Sequence, residues 1–371
     1  MDFLIHRDEL TRALGRVQGI VEKRPATPIL SSVLLQARGE GLRVTATDKA
    51  MTLIADYAAT IRHEGEVAVD AVALFQVAKV LSGDIVTIKL VDAARIEIRC
   101  GSSMFKLNIW PAADFPVTPS LDQTRALTMA GAALRTVIDR THFAIAPDDN
   151  RYGLNGVHVE DTTAEDGAVI RFVSTDGNRL CWAQAPYSGE LGIARKMLLP
   201  RKGLVEARKL MDGVDDPIEI AFGERAALIR WPSVMLHVRL LEADFPDYRQ
   251  VLPNAFKRKV VVDREAFRDA LRRVAILATD QSNSVKFAFA AEGLVLTARK
   301  LDTGDAREEV AADLSGEPIA MGFNARFVLD VLNALSGPRV VAELGDALSP
   351  CILRDADDNN AMFVVMPVRL D

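Results

Sequence analysis

Residues 7–17, RDELTRALGRV, align without a gap with residues 264–274, REAFRDALRRV. Arg7, Ala13, Leu14, Arg16 and Val17 recur as Arg264, Ala270, Leu271, Arg273 and Val274. Self-similarity at that separation marks a repeated structural unit, which dictates the fold before any single element is assigned. A weaker copy, LRTVIDRT from Leu134, sets Leu134, Ile138 and Arg140 where Leu10, Leu14 and Arg16 stand. A second stretch recurs in the same order: DAVALFQVAKVLSG from Asp70 matches NARFVLDVLNALSG from Asn324, with PRKGLVEARKLMDG from Pro200 as the middle version. Ala-Asp-Phe-Pro closes the first two copies, at 113–116 and 243–246. The chain of 371 residues therefore reads as three domains, 1–121, 122–251 and 252–371.

Each repeated stretch carries helix signals. Asp70 and Asn324 are N-cap residues, Pro200 suits a helix start, and Gly83, Gly213 and Gly337 supply stops. Between them run alternating segments such as LRVTAT (42–47), VTIKL (86–90), RIEIRC (95–100), IEIAF (218–222), ALIRW (227–231) and LVLTA (294–298). Period-two alternation rich in Val, Ile and Thr predicts antiparallel strands with one buried face. Each unit is thus an antiparallel sheet plus two helices, an α+β layer repeated three times.

The net charge is -6, which by itself argues against a nucleic-acid partner. Its distribution argues otherwise. In the first helix, expected over 7–24, Leu10, Leu14, Val17 and Val21 form the inward stripe, while Arg12, Arg16 and Lys23 face away. The six helical segments, 7–24, 71–81, 131–144, 200–212, 263–273 and 324–336, hold 17 Lys or Arg against 10 Asp or Glu. The rest of the chain holds 28 against 41. Cations also recur at matched positions: Arg16, Arg140 and Arg273 in one set, Arg135 and Arg268 in another. Helices set side by side with these residues outward form a surface that attracts a phosphate backbone without reading its sequence.

Other classes find no support in the residues. The charged opening MDFLIHRDEL is not a signal peptide, and no uncharged apolar run is long enough to span a bilayer, so the chain is expected in the cytoplasm with no membrane partner. Cys100, Cys181 and Cys351 are odd in number and far apart, which suits buried thiols in a reducing compartment. No Gly-rich Lys-Ser/Thr loop occurs, and Gly39-Glu40-Gly41 lacks the third glycine of a dinucleotide fingerprint. His6, His63, His142, His158 and His237 are isolated from each other and from the cysteines, so no metal or triad is suggested. Asp148-Asp149 reads as a turn rather than a catalytic pair. No catalytic residue and no cofactor is expected. A protein that binds a nucleic-acid backbone and a three-domain scaffold or ligand-binding protein without nucleic acid both fit these features.

Several stretches carry a family resemblance: RPATPIL (24–30), RYGLNGV (151–157), STDGNRL (174–180), FPDYRQVLP (245–253), MGFNARFVLDVLNAL (321–335) and FVVMPVRL (363–370). In this order, on three repeats, the chain resembles the bacterial DNA polymerase III beta subunit, the sliding clamp, over its full length. The resemblance implies a non-catalytic processivity factor: a head-to-tail homodimer closed into a six-domain ring, helices lining a hole for duplex DNA and sheets outside. Closure by a heterologous interface leaves no exposed sheet edge. It places Arg24, Arg135, Arg140, Arg201, Lys202, Arg208, Lys209, Arg268 and Arg273 toward the DNA, and sets Phe105 and Leu107 of one subunit against Ile276 and Leu277 of the next.

The resemblance further implies a hydrophobic cleft that takes a short Gln- and Leu/Phe-containing peptide from the polymerase III alpha subunit, the clamp loader and other partners with a clamp-binding motif. From the 151–157 and 174–180 stretches its wall takes Leu154, Thr175, Gly177, Asn178, Arg179 and Leu180. Pro246, Val251, Asn324, Phe327 and Leu348 follow, and the tail adds Val364, Val365, Met366, Pro367 and Val368. Leu180, Val251, Val365 and Met366 are expected to form the pocket itself. The chain departs from the family pattern at Asn178, Gln250, Phe327 and Val368, where His, Arg, Tyr and Met are frequent, and in carrying Asp371 beyond the usual final Leu. Loss of a hydroxyl and a basic group shifts peptide preference but leaves the apolar pocket.

Overall fold

A computed structural model of the chain describes residues 1–22, 26–117, 125–147, 152–164, 167–190, 197–253, 255–278, 283–300 and 302–370. Its helices are α1 (Arg7–Val17), α2 (Ala71–Val80), α3 (Gly131–Asp139), α4 (Arg201–Leu210), α5 (Arg264–Val274) and α6 (Ala325–Ala334). Each follows directly on a strand, two such junctions per repeat. The turn into the helix is held by two caps read from the sequence, Asp70 accepting from Ala73 N at 2.7 Å and Asn324 from Arg326 N at 3.0 Å, and by a third that was not, Asp263 accepting from Ala266 N at 2.8 Å. These bonds satisfy amide groups that a helix start otherwise leaves open.

The first helix is shorter than the expected 7–24, ending at Val17. Gly15 and Gly19 weaken its continuation, and Gly19 sits where a Cβ would meet Glu206 Oε2 at 1.9 Å. The inward stripe survives, since Leu10, Leu14, Val17 and Val21 are all buried. Arg7 and Arg264, matched across the repeat, prove to be structural. Arg7 donates to Leu81 O at 3.3 Å, beyond the end of α2, and Arg264 to Gly337 O at 2.8 Å and Leu332 O at 3.3 Å, at the end of α6. Each thereby satisfies carbonyls at the C-terminus of the second helix of its repeat.

The chain divides into two compact units. The first comprises Met1–Gly131, Ser188–Arg195 and Lys202–Leu240. Its described strands form one sheet of fourteen, in which Val234–Arg239 of the middle repeat pairs antiparallel with Met51–Ala58 of the first. The second unit comprises Ala132–Tyr187, Lys196–Arg201 and Leu241–Asp371, with sheets of nine and four strands. In the nine-stranded sheet Arg179–Pro186 pairs with Ala361–Val365, register Leu180 to Val364 and Arg179 to Val365. Within each unit, strands of neighbouring repeats thus join edge to edge, and the backbone groups at those edges are satisfied. Cys100, Cys181 and Cys351 are free and buried, and burial pushes the Cys181 and Cys351 thiols up, away from reactivity. Among the described residues no helix is long and apolar enough to cross a membrane.

Candidate functional site

The second unit holds an open cavity of about 200 Å³ lined by Leu154, Thr175, Gly177, Arg179, Leu180, Pro246, Asp247, Tyr248, Val251, Val364 and Met366. Its floor comes from strand alternation: Leu180 and Val364 face each other across the pairing of Arg179–Pro186 with Ala361–Val365, and both are buried. Val251, half exposed, and Met366, 39% exposed, offer apolar surface at the rim. Gly177, at φ +88°, forms the turn between strands. That turn is tied by Thr175, whose hydroxyl donates to Arg179 O at 2.6 Å and accepts from Gly177 N at 3.1 Å, and by Asp176, which accepts from Arg179 N at 3.0 Å. Gly153 brings the backbone before Leu154 against Asp244, where a Cβ would lie 2.3 Å from the carbonyl oxygen.

Arg179 is the one charged side chain buried in the wall. Its guanidinium donates to Asp330 Oδ2 at 2.6 Å, Asp176 Oδ2 at 2.9 Å and Phe143 O at 2.6 Å. It lies over the rings of Phe327 at 4.4 Å and Phe143 at 5.3 Å. A guanidinium held by three acceptors and two rings acts here as a rigid plank rather than a free charge.

Behind the wall sits a polar ladder. Glu160, Arg171 and Gln184 are direct partners across three adjacent strands. Arg171 donates to Gln184 Oε1 at 2.7 Å and stacks over Trp182 at 4.4 Å. The short helical turn Tyr248–Val251 hangs on this ladder: Tyr248 donates its hydroxyl to Glu160 Oε1 at 2.7 Å, and Arg249 donates to Glu160 Oε2 at 2.8 Å. Burial pushes the Glu160 carboxyl up, but His158 and Tyr248 beside it and the charge of Arg249 outweigh burial and hold it down at about 2.

Nine of the expected wall residues meet at the cavity; the others lie elsewhere. Val365 is the clearest correction. It is fully buried and lines a separate apolar core with Phe267, Phe287 and Phe323, because neighbours on a strand point to opposite faces and Val364 takes the cleft side. Asn178 contributes its backbone carbonyl, which accepts from Met366 N at 2.9 Å and fixes the tail. Val368 donates its N–H to Gly322 O at 2.8 Å, which fixes the segment after Pro367. Asn324 caps α6, Phe327 supports Arg179, and Leu348 is 69% exposed outside the cavity lining. Tyr248 and Asp247 were missed. Asp247 as the cap before a helical turn, accepting from Arg249 N at 3.3 Å, was a readable signal.

The helix cations differ among themselves. Arg24 lies outside the described residues. Arg201, Lys202, Lys209 and Arg273 are exposed, while Arg135, Arg208 and Arg268 are half-buried. Most have acidic company: Lys202 with Asp48, Lys209 with Glu206 at 2.7 Å, Arg208 with Asp212 at 3.6 Å, Arg268 with Glu265 at 2.6 Å, and Arg273 bidentate to Glu308 at 2.8 Å. Arg140 departs from the expected exposed cation. Its side chain is 7% exposed, paired with Asp358 at 2.8 Å and Ser336 at 3.2 Å. Of the expected subunit contacts, Ile276 is 76% exposed and Leu277 half-buried; Phe105 and Leu107 are half-buried on a strand, opposite Ile98 and Ile96.

Comparison with known proteins gives the family of the chain. Family models of the DNA polymerase III beta subunit match in chain order: the N-terminal domain at residues 1–119, the central domain at 128–247 and the C-terminal domain at 249–369. The beta sliding clamp of Caulobacter vibrioides is 35% identical and that of Escherichia coli K12 33%, each over 100% of both chains. A crystal structure of the C. crescentus clamp superposes with a TM-score of 0.94 at 35% identity, covering 100% of both chains. A Pseudomonas aeruginosa clamp bound to griselimycin gives 0.94 at 31%, again over 100% of both. With three clamp domains end to end and no part of either relative unmatched, the chain belongs to the DNA polymerase III beta subunit family, the bacterial sliding clamps, which serve replication as the non-catalytic processivity subunit.

Proposed function

We propose that two copies of this chain close head to tail into a ring around duplex DNA and tether the replicative polymerase, the clamp loader and other motif-bearing partners through the cleft. Domain limits near residues 121 and 251 belong to this reading. So does a subunit contact of Phe105 and Leu107 with Ile276 and Leu277, of which Ile276 is an exposed apolar side chain that a monomer leaves in water. The exposed cations of α4 and α5 then supply phosphate contacts, and their acidic neighbours keep any one contact weak, as a sliding protein requires. The cleft accepts an extended peptide whose Leu or Phe side chains fill the apolar floor.

The observation that carries the reading is the cavity itself. It is built where two of the stretches that carry the resemblance, STDGNRL and FVVMPVRL, meet in the pairing of neighbouring strands. Two measurements test it together. Native mass should be that of two subunits, and clamp loaded onto nicked circular DNA should persist and then be lost when the circle is cut. A monomer mass, or equal retention on linear and circular DNA, would overturn it.

A further inference from the structure

We propose that Glu160 and Tyr248 are positioning residues for recognition at the cleft: the carboxylate, through the tyrosine hydroxyl, sets the position of the wall formed by Asp247–Val251. The inference rests on the cleft reading above.

The turn Tyr248–Val251 belongs to no sheet, so its position needs an anchor from elsewhere. Val251, its last residue, is half exposed at the rim, and a shift of the turn changes the width of the opening. Tyr248 is 4% exposed and has two functions at once. Its ring lines the cavity and packs with Leu154, Leu180 and Val364, while its hydroxyl reaches Glu160 at 2.7 Å. Arg249 adds a second bond to the other carboxylate oxygen at 2.8 Å. Glu160 is itself held by its cross-strand neighbour Arg171, 3.6 Å away, and by the rest of the ladder. A carboxylate fixed on a sheet and gripping two consecutive residues of a turn defines both its height and its rotation. The apolar end of this sheet face makes the cleft, and its polar end sets the cleft's remaining wall.

The test uses full-length protein and fluorescence polarisation with a labelled pentapeptide carrying Gln first and Leu-Phe last. Tyr248→Phe keeps the ring in the cavity and removes only the hydroxyl. It should weaken binding about threefold to tenfold, the range of one hydrogen bond lost. Glu160→Ala should do the same, and Glu160→Gln, which still accepts from the hydroxyl, should recover most of the loss. In a Tyr248→Phe background the advantage of Gln over Ala should shrink to what the Arg249 bond alone supplies, a coupling that general destabilisation does not produce. Binding by Tyr248→Phe within twofold of wild type, or an unchanged advantage of Gln over Ala in that background, would sink the inference. Met366→Ala serves as the reference: if it too binds normally, the cleft reading fails and this one with it, whereas if it binds weakly the cleft stands and only the positioning role is judged.

Discussion

The cleft and the helix faces both depend on arginine, and they use it in opposite ways. In the cleft, Arg179 is buried, donates to three acceptors and lies between two rings, so its charge is spent inside the fold. On α5, Arg273 is 58% exposed and its guanidinium meets Glu308 in solvent, where the pairing is weak and exchangeable. A site that selects a side chain needs fixed walls; a surface that holds a phosphate backbone at any register needs charges that yield. The repeat shows how one position can go either way. Arg16, Arg140 and Arg273 are matched in sequence, yet Arg16 reaches Tyr57 at 3.3 Å, Arg140 is buried against Asp358 and Arg273 stands in water.

The largest effect should come from breaking the fixed side of this comparison. Arg179→Ala removes the partner of two carboxylates, Asp176 and Asp330, and the support of Phe327. Breaking a buried pair costs about 3–5 kcal/mol, and the partial exposure of Asp330 places this case toward the lower end. Denaturant unfolding should show that loss, together with loss of peptide binding. A stability within experimental error of wild type would mean that the guanidinium is as exchangeable as those on the helices. Met366→Ala acts on one apolar contact without touching a charge. It should cost about 1–3 kcal/mol of peptide affinity and leave unfolding nearly unchanged, since Met366 is 39% exposed before any peptide covers it. Undiminished binding by this variant and by a chain lacking residues 366–371 would remove the tail from the site.

Much of this could be read from the chain. The stripe Leu10, Leu14, Val17 and Val21, the caps Asp70 and Asn324, and the strand runs are local signals, and local physics sets them. The nine wall residues that converge were reached through the resemblance. What escaped depends on partners far along the chain. In the run FVVMPV, two adjacent valines are equally apolar, so parity alone decides that Val364 lines the cleft and Val365 the core. Tyr248 takes its role from Glu160, 88 residues earlier. Nothing in LRTVIDRT separates Arg140 from Arg273, because the difference is made by Asp358 in another repeat. The pairing of strands from neighbouring repeats is equally invisible to periodicity, which specifies a buried face but not the neighbour.

The smallest expected effect is also the one that tells the two uses of arginine apart most directly. If the exposed cations meet phosphate, each releases about one counterion, and Arg273→Ala should lower the slope of log affinity against log salt by about 0.9. Glu308 then loses a partner already in solvent, so the melting temperature should hardly move. Arg140→Ala, at the same repeat position, should do the reverse. Its guanidinium is 7% exposed and committed to Asp358 and Ser336, so it has no charge to offer a phosphate. The salt slope should stay at the wild-type value while the melting temperature falls, because Asp358 is left without its cation. Measuring both variants across one salt titration on duplex DNA separates the cases. A reduced slope for Arg140→Ala would mean that this side chain leaves its buried pair when DNA is present, and an unreduced slope for Arg273→Ala would remove α5 from the DNA path.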